Sequence, residues 1–392
     1  MLFQSIHLQD KICDVRIEGA CIAQIGPAGT LSERTGEEVR EGGMLTPHFA
    51  EPHVHLDATQ LGARTPNMSG TLQEGIANWA AVRDTLVADD IQRRARKTIG
   101  WYRNWGCTRI RTHVDTGNLT AVEALIDLRD QLKDEVEIQV VAFPQEGLLK
   151  APGQVEQWRA AVSLGCDAVG AIPHFEHDLE TGWKTVQMAF ELAEEFGLAL
   201  DFHCDETDDP SIRNLEEVCR QAKRRGNGSQ VIAGHCTALH SYPDDVAAQV
   251  IADVVEAEIQ VVTNPLDNIV LQGRFDGYPK RRGITRVDEL WAAGATVGIG
   301  HDSVVDPWYR LGTANLVDAA HMLVHAGHLT ADADMRRVFR TLCDDNHRCF
   351  GGVDPLQEGR VANVLYWPVD DPIEVIRVRP RPEVFQHGVR QH

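Results

Sequence analysis

Glu51-Pro52-His53-Val54-His55-Leu56-Asp57 decides how the chain is read. Two histidines stand two residues apart, with a carboxylate just behind. In a strand, residues i and i+2 point to the same face. His53 and His55 can therefore aim both imidazoles at one point, the simplest way for a strand to offer two nitrogen ligands to a metal. An isolated H-x-H arises often by chance, so its meaning depends on whether the rest of the chain supplies further ligands.

Outward from that stretch, short β-branched runs alternate with longer amphipathic segments. Strands are expected over residues 45–55, 108–114, 137–143, 168–173, 199–203, 230–235, 260–264 and 296–300. Helices are expected over 88–105, 120–132, 155–164, 183–196, 215–224, 244–257 and 287–293, with a further helical region over 312–325 and 332–343. Eight strands alternating with helices predict an α/β fold, the (β/α)8 or TIM barrel. A doubly wound sheet would run from its first strand into a Gly-rich phosphate turn; here the first strand runs into His-Val-His. Residues 1–45 read as short strands broken by glycine. Strand-like text returns at 362–367, 374–379 and around 384. Residues 1–45 and 350–392 together predict a small β-sandwich-like domain, and 46–349 the metal-dependent catalytic barrel.

In a TIM barrel the chemistry sits at the C-terminal ends of the strands. Those ends read His53 and His55, then Arg111-Thr-His113-Val-Asp115, Phe143-Pro-Gln145-Glu146, Pro173-His174-Phe-Glu176, His203-Cys-Asp205-Glu206, Gly234-His235, Asn264-Pro265 and Gly300-His301-Asp302-Ser303. Strand interiors are mostly apolar, so this clustering is not random. His53, His55, His203 and Asp302 make three imidazoles and a carboxylate, a set suited to one divalent ion, Zn²⁺ or Fe²⁺, with a position left for water. By strand order His235 is close to that water. Glu206 lies three residues past His203, in the loop, where it can face a substrate and move protons without binding metal.

The bulk numbers are those of a soluble globular protein. The chain has 392 residues, 43% of them hydrophobic and 24% charged, and a formal net charge of -20. That charge argues against a nucleic-acid backbone or an anionic membrane as the main partner, since both require clustered Lys and Arg. Nine cysteines without a C-x-x-C pair read as reduced thiols of a cytoplasmic protein. No signal peptide is expected, and no apolar run approaches the ~20 residues of a membrane span.

The motifs P-H-V-H-L-D, P-Q-E-G, H-C-D-E, G-H-C-T-A-L-H-S and G-H-D-S-V-V-D-P-W-Y, with Phe275-Asp-Gly-Tyr-Pro-Lys-Arg-Arg-Gly-Ile-Thr-Arg286 and Leu311-Gly-Thr-Ala-Asn315, resemble the amidohydrolase superfamily, and within it the bacterial-type cytosine deaminases. The resemblance runs from about residue 46 to 350. It implies a mononuclear Zn or Fe(II) site, a small β-domain built from both termini, a homo-oligomer and a nucleobase substrate. It implies His53, His55, His203 and Asp302 as metal ligands, Glu206 as the carboxyl that protonates the ring nitrogen, and His235 as the group that holds the attacking water. Gln145 then reads the lactam edge of the base, and Trp308 flanks the pocket. One position departs from the family: where those enzymes carry a second aspartate after the ligand, this chain has Ser303. A smaller, uncharged residue there opens one edge of the pocket, so 5-methylcytosine is expected as a substrate beside cytosine. Isoguanine and creatinine share the edge that Gln145 would read and stay open as alternatives.

Other readings are weaker. Dinuclear amide-ring hydrolases carry a bridging lysine at the end of strand 4, and residues 167–173 contain none. A structural metal would leave Glu206 and His235 without a purpose. His321, His325 and His328 have helical spacing but no adjacent glutamate, and read as one face of a barrel helix. Lys280-Arg281-Arg282 reads as a loop pairing with carboxylates, Cys204 as packing, and His301 as turned away from its neighbour Asp302. His113 and Asp115 read as a pair supporting the ligands from behind. His174 and Glu176 read either as pocket lining or as support.

Overall fold

In the computed structural model, which describes residues 1–391, the N-terminal residues form β1 (Leu2–Leu8), β2 (Lys11–Glu18), β3 (Cys21–Pro27), β4 (Val39–Glu41) and β5 (Met44–Pro47). The barrel strands follow: β6 (Phe49–Val54), β7 (Cys107–Asp115), β8 (Glu137–Phe143), β9 (Ala168–Ala171), β10 (Ala199–Cys204), β11 (Val231–His235), β12 (Gln260–Thr263) and β13 (Thr296–Ile299). They pair in chain order, each parallel to the next. A parallel bridge between Val54 and Asp302 closes the ring. Asp302 N–H donates to His53 O at 2.9 Å and His55 N–H to Asp302 O at 3.2 Å. The seam of the barrel therefore runs through the residues expected to bind metal.

The helices wrap this ring for ordinary reasons. In the helix Leu179–Phe196, Asp178 caps the first turn through Thr181 N–H, and Gly197 ends the last turn at φ 68°. Its buried residues include Val186, Ala189, Phe190 and Ala193, an i, i+3, i+4, i+7 stripe that faces the sheet. Losing such a cap costs about 1 kcal/mol. The cap also explains why the helix begins four residues before the expected start at 183: polar residues preceding an apolar stripe carry no periodicity of their own.

The C-terminal residues add β14 (Val364–Trp367), β15 (Glu383–Gln386) and β16 (Val389–Arg390). β14 pairs with β5, so both ends of the chain share one sheet, in the order β16-β15-β14-β5-β1-β2-β3 with β4 against β1. The sheet is single and curled, not two facing sheets: Cys21 reaches across to bridge Val361. It encloses its own small core of Phe3, Ile6, Val15, Leu45, Val364 and Phe385.

Two expected strands are corrected. The strand expected over 45–55 is two strands broken at His48, whose ring is held by Thr108 Oγ1 and Phe385 O; β5 pairs with the terminal sheet and only β6 with the barrel. The strand expected over 374–379 is the helix Pro372–Val378. Asp371 caps it, Pro372 opens it, and Val375 and Ile376 are buried, so start signals outweigh β-branched content. The helices Leu72–Arg83 and Pro265–Leu271 are additions to the expected elements.

Candidate functional site

At the C-terminal mouth of the barrel a cavity of about 230 Å³ is lined by His55, Gln145, His203, Glu206, His235, Asp302, Ser303 and Trp308, together with apolar Ile172 and Leu271. Every candidate site residue except His53 lines it. His53 lies just beneath, fully buried. Its ring occupies space that only glycine leaves open. A Cβ on Gly234 would come within 3.0 Å of the His53 ring, and one on Gly300 within 2.3 Å of Asn264 and 3.0 Å of His53 Cβ.

Donor atoms of His53, His55 and Asp302 lie within 4.8 Å of one another, as do those of His53, His203 and His235. Asp302 Oδ1 is 3.6 Å from His53 Nε2 and 3.5 Å from His55 Nε2. The Nε2 atoms of His55 and His203 face each other at 3.1 Å. Neither nitrogen of His53, nor Nδ1 of His203, has a hydrogen-bond partner despite full burial. Burial, then the neighbouring imidazoles, holds His53 and His203 well below the ordinary histidine value, and burial lowers His55 to about 4. All are therefore neutral, the form that ligates. Burial and the nearby carboxyls of Asp267 and Glu206 push Asp302 well up. Orphaned imidazole nitrogens converging on a carboxylate with no cation beside it fit a divalent ion, which His53, His55, His203 and Asp302 would hold.

Glu206 stands over the cluster. Its Oε1 is 3.5 Å from His235 Nδ1 and accepts a hydrogen bond from Asn268 Nδ2 at 3.3 Å. Burial pushes this carboxyl up to about 8. His235 Nδ1 lies 3.9 Å from Asp302 Oδ2. The sequence reading passed over the groups that fix His235: Asn268 Nδ2 at 3.1 Å and Asn264 Nδ2 at 3.3 Å from its Nδ1. Phe143 stacks on the His203 ring at 3.9 Å, and Trp308 lies 5.6 Å from the His55 ring.

The backbone is strained where these side chains are presented. Asp205 (φ 50°), His235 (φ 65°), Cys236 (φ 51°) and Asp302 (φ 68°) are all left-handed. A non-glycine residue in that region costs of order 1–3 kcal/mol. Four of them at strand ends around one cavity mark a site in which geometry outranks stability.

The supporting layer differs from the expected one. His113 packs its ring 4.1 Å from His53 but turns to Asp201, at 3.6 Å, not to Asp115. Asp201 in turn accepts a hydrogen bond from Arg111 at 3.0 Å. Asp115 instead accepts from Trp79 Nε1 and Arg83. Glu176 accepts from the N–H groups of Leu148 and Leu149, so it orders the loop after β8 and supports the pocket. His174 lines the cavity and is held by His203 O at 3.2 Å. His301 faces outward as expected, held by Ser303 O and Thr313 N–H. Cys204 is fully buried. His321 and His325 bond to carbonyls of Ile376 and His321, and Arg281 pairs with Asp276. A cleft of about 310 Å³ at the other end of the barrel holds Arg109 paired with Glu137 and Asp354.

A strand-end cluster able to hold a metal, beside an ionisable carboxyl, on a closed eight-stranded barrel, is the setting in which the sequence relationships take on meaning. The profile of the Amidohydrolase family matches residues 83–380. The chain belongs to the amidohydrolase family. It is a hydrolase acting on carbon–nitrogen bonds. The structure superposes on 5-methylcytosine deaminase from Klebsiella pneumoniae, liganded with 5-fluorocytosine, with a TM-score of 0.94 and 35% identity, covering 100% of this chain and 97% of that one. It also superposes on N-isopropylammelide isopropylaminohydrolase from Burkholderia multivorans, with a TM-score of 0.83 and 27% identity over 99% and 97% of the two chains. A pterin deaminase of Rhizobium rhizogenes is 28% identical over 82% of this chain and 74% of its own length. Among the described residues no helix is long and apolar enough to cross a membrane.

Proposed function

We propose that this amidohydrolase removes the exocyclic amine of a cytosine-type base, converting 5-methylcytosine to thymine and cytosine to uracil with release of ammonia. The observation that carries the reading is the sharing of one small cavity by the His/Asp cluster, Glu206 and Gln145. At about 230 Å³ it is smaller than the roughly 300–1,000 Å³ of drug-sized ligand sites, which suits a free base better than a nucleoside. The likeness to a 5-methylcytosine deaminase supports the same substrate class.

His53, His55, His203 and Asp302 would hold a divalent ion, Zn or Fe(II), which when bound would acidify a water molecule. The chain's own residues do the rest. The Gln145 amide offers a donor and an acceptor to the lactam edge of the base. Asp302 or His235 takes the proton from the attacking water. Glu206 carries a proton to the ring nitrogen beside C4, which makes C4 electrophilic. Water oxygen bonds to C4, the C4–amine bond breaks, and ammonia leaves with a proton passed along the same groups. Ile172 and Leu271 give the cavity an apolar wall. Ile172 also follows β9, where a bridging lysine would be needed for the dinuclear chemistry of amide-ring hydrolysis. The nine cysteines are all free thiols, which suits a reducing compartment such as the cytoplasm.

Ammonia release measured over cytosine, 5-methylcytosine, isoguanine and creatinine tests this reading. Turnover of the two cytosines is expected, and turnover of isoguanine or creatinine alone would refute it. Ser303→Asp tests the pocket edge. The ratio of kcat/KM for 5-methylcytosine over cytosine is expected to fall by roughly 10-fold or more, the scale of discrimination for one methyl group. An unchanged ratio would remove Ser303 from the account of specificity.

A further inference from the structure

The helix Leu72–Arg83 has two buried residues, Gly75 and Trp79, and both pack against Trp308. A Cβ on Gly75 would stand 2.6 Å from Trp308 Cδ1, 3.2 Å from its Cγ and 3.2 Å from Pro307 O. One turn further on, the Trp79 ring lies 5.9 Å from the Trp308 ring and donates its Nε1–H to Asp115 Oδ2 at 2.8 Å. After proline, glycine is the least favourable residue inside a helix. Close approach accounts for it here: any other residue would hold the helix backbone away from the indole. Gly100, inside the helix Ala88–Asn104, is the contrast, since a Cβ there would meet nothing within 4 Å.

Neither side of this contact is free to step aside. Trp308 N–H donates to Asp306 Oδ1 at 3.0 Å, and Asn67 Nδ2 donates to Pro307 O at 3.2 Å. The backbone that carries the indole is therefore held from two directions. On the helix, Arg83 Nη1 donates to Glu146 at 3.2 Å and to Asp115 at 3.3 Å, which ties the last turn to the barrel. Both elements line the cavity: Leu72, Gln73 and Ile76 from the helix, Trp308 from the loop after β13. The Trp308 ring also lies 5.6 Å from that of His55. In a cavity of about 230 Å³, the separation of these two walls decides whether a base fits.

We propose that Gly75 is a positioning residue: carrying no side chain, it seats the Trp308 indole against the helix and so sets the distance between two walls of the base pocket. It acts through Trp308 and touches no reacting atom. This inference rests on the deamination reading above for its substrates. A wall that meets the base alike before and during the reaction contributes to binding in both states, so crowding it raises KM more than it lowers kcat.

The test is a double-mutant cycle in the metal-loaded enzyme with Gly75→Ala, Trp308→Ala and the pair, reading KM and kcat on cytosine and 5-methylcytosine. Calorimetric Kd of the base replaces KM where turnover is too slow to read. Metal content and thermal midpoint are followed throughout, with Gly100→Ala as the control. Gly75→Ala is expected to raise KM of both bases about 10-fold, the scale of overpacking by a methyl group, with kcat within about 3-fold and metal content unchanged. Gly100→Ala is expected to raise the thermal midpoint and leave KM unchanged, because alanine is the better helix former and meets nothing there. In the Trp308→Ala background the Gly75 substitution is expected to change KM by less than about 2-fold, since the indole it crowds is gone. A wild-type KM in Gly75→Ala overturns the inference, as does loss of metal. So does a rise in KM that persists in the Trp308→Ala background, which would place the obstruction at Pro307 O. Where Gly75→Ala does not fold alone, the pair decides: a folded pair with the KM of Trp308→Ala supports the inference, and an unfolded pair overturns it. All these outcomes leave the deamination reading standing. A wild-type enzyme that deaminates neither base refutes that reading, and this inference with it.

Discussion

Glu206→Gln is expected to lower kcat on the preferred base by about 10²–10⁴-fold, the usual contribution of a positioned general acid, while leaving bound metal at the wild-type level. Glu206 lies within hydrogen-bonding reach of Asn268 and 3.5 Å from His235, in the loop past β10 and outside the His53–His55–His203–Asp302 set. The amide keeps the shape but has no proton to deliver to a ring nitrogen. The same substitution has a second, opposite effect. Burial pushes the Glu206 carboxyl up to about 8, from the ordinary 4.5. Between those values the folded protein binds a proton that the unfolded chain has released, so stability falls as pH rises through that window. Above it the fold must bury a charge. In metal-free protein Glu206→Gln removes that cost, and its thermal midpoint is expected to exceed wild type increasingly from pH 5 to 9. Metal analysis, single-turnover kinetics and melting curves at several pH values check all three effects. Lost metal in the variant would place Glu206 among the ligands.

Much of this was legible because barrel geometry converts sequence order into position. Once eight strands are recognised, a polar residue at a strand end needs no further information to be placed at the mouth, and the cavity collects His55, His203, His235 and Asp302 together with Gln145 and Ser303. The parts passed over lie one step away from those ends. Asp201, Arg111 and Glu51 stand two residues before His203, His113 and His53, on the same inward faces. They form a buried polar layer next to the imidazoles. Arg111 pairs with Asp201, and Glu51 accepts N–H groups of His53 and His301 across the barrel seam. The i, i−2 alternation that picked out His53 and His55 would have found all three. Asn268 and Asp267 were hidden for a different reason. No element is expected over residues 265–271, so no helical turn carried Asn264 forward to Asn268. Asp371 and Pro372 show the reverse error, in which a strand reading of β-branched residues overrode an Asp-Pro helix start.

The second large effect is expected from His203→Ala. His203 is central to the cluster: its Nε2 faces that of His55 at 3.1 Å, its ring lies 4.5 Å from His53, and Phe143 stacks on its other side at 3.9 Å. Removing it leaves His53, His55 and Asp302, which offer one nitrogen donor fewer. Groups that merely support a ligand cost about 10–100-fold in metal affinity when removed, so loss of a ligand itself is expected to exceed that range and abolish turnover. The effect differs from that of Glu206→Gln in what metal does to the folded state. Binding at about 1,000 times Kd stabilises a protein by about 4 kcal/mol. Added Zn²⁺ or Fe²⁺ is therefore expected to raise the thermal midpoint of wild type and of Glu206→Gln, and to leave that of His203→Ala unmoved. His113→Ala should fall between them, with weakened affinity that excess metal restores, because His113 touches His53 and turns to Asp201 without facing the cavity. If His203→Ala still binds metal and melts like wild type, the ion sits elsewhere: the grouping of His53 with His113 and Asp201 would then be the place to look.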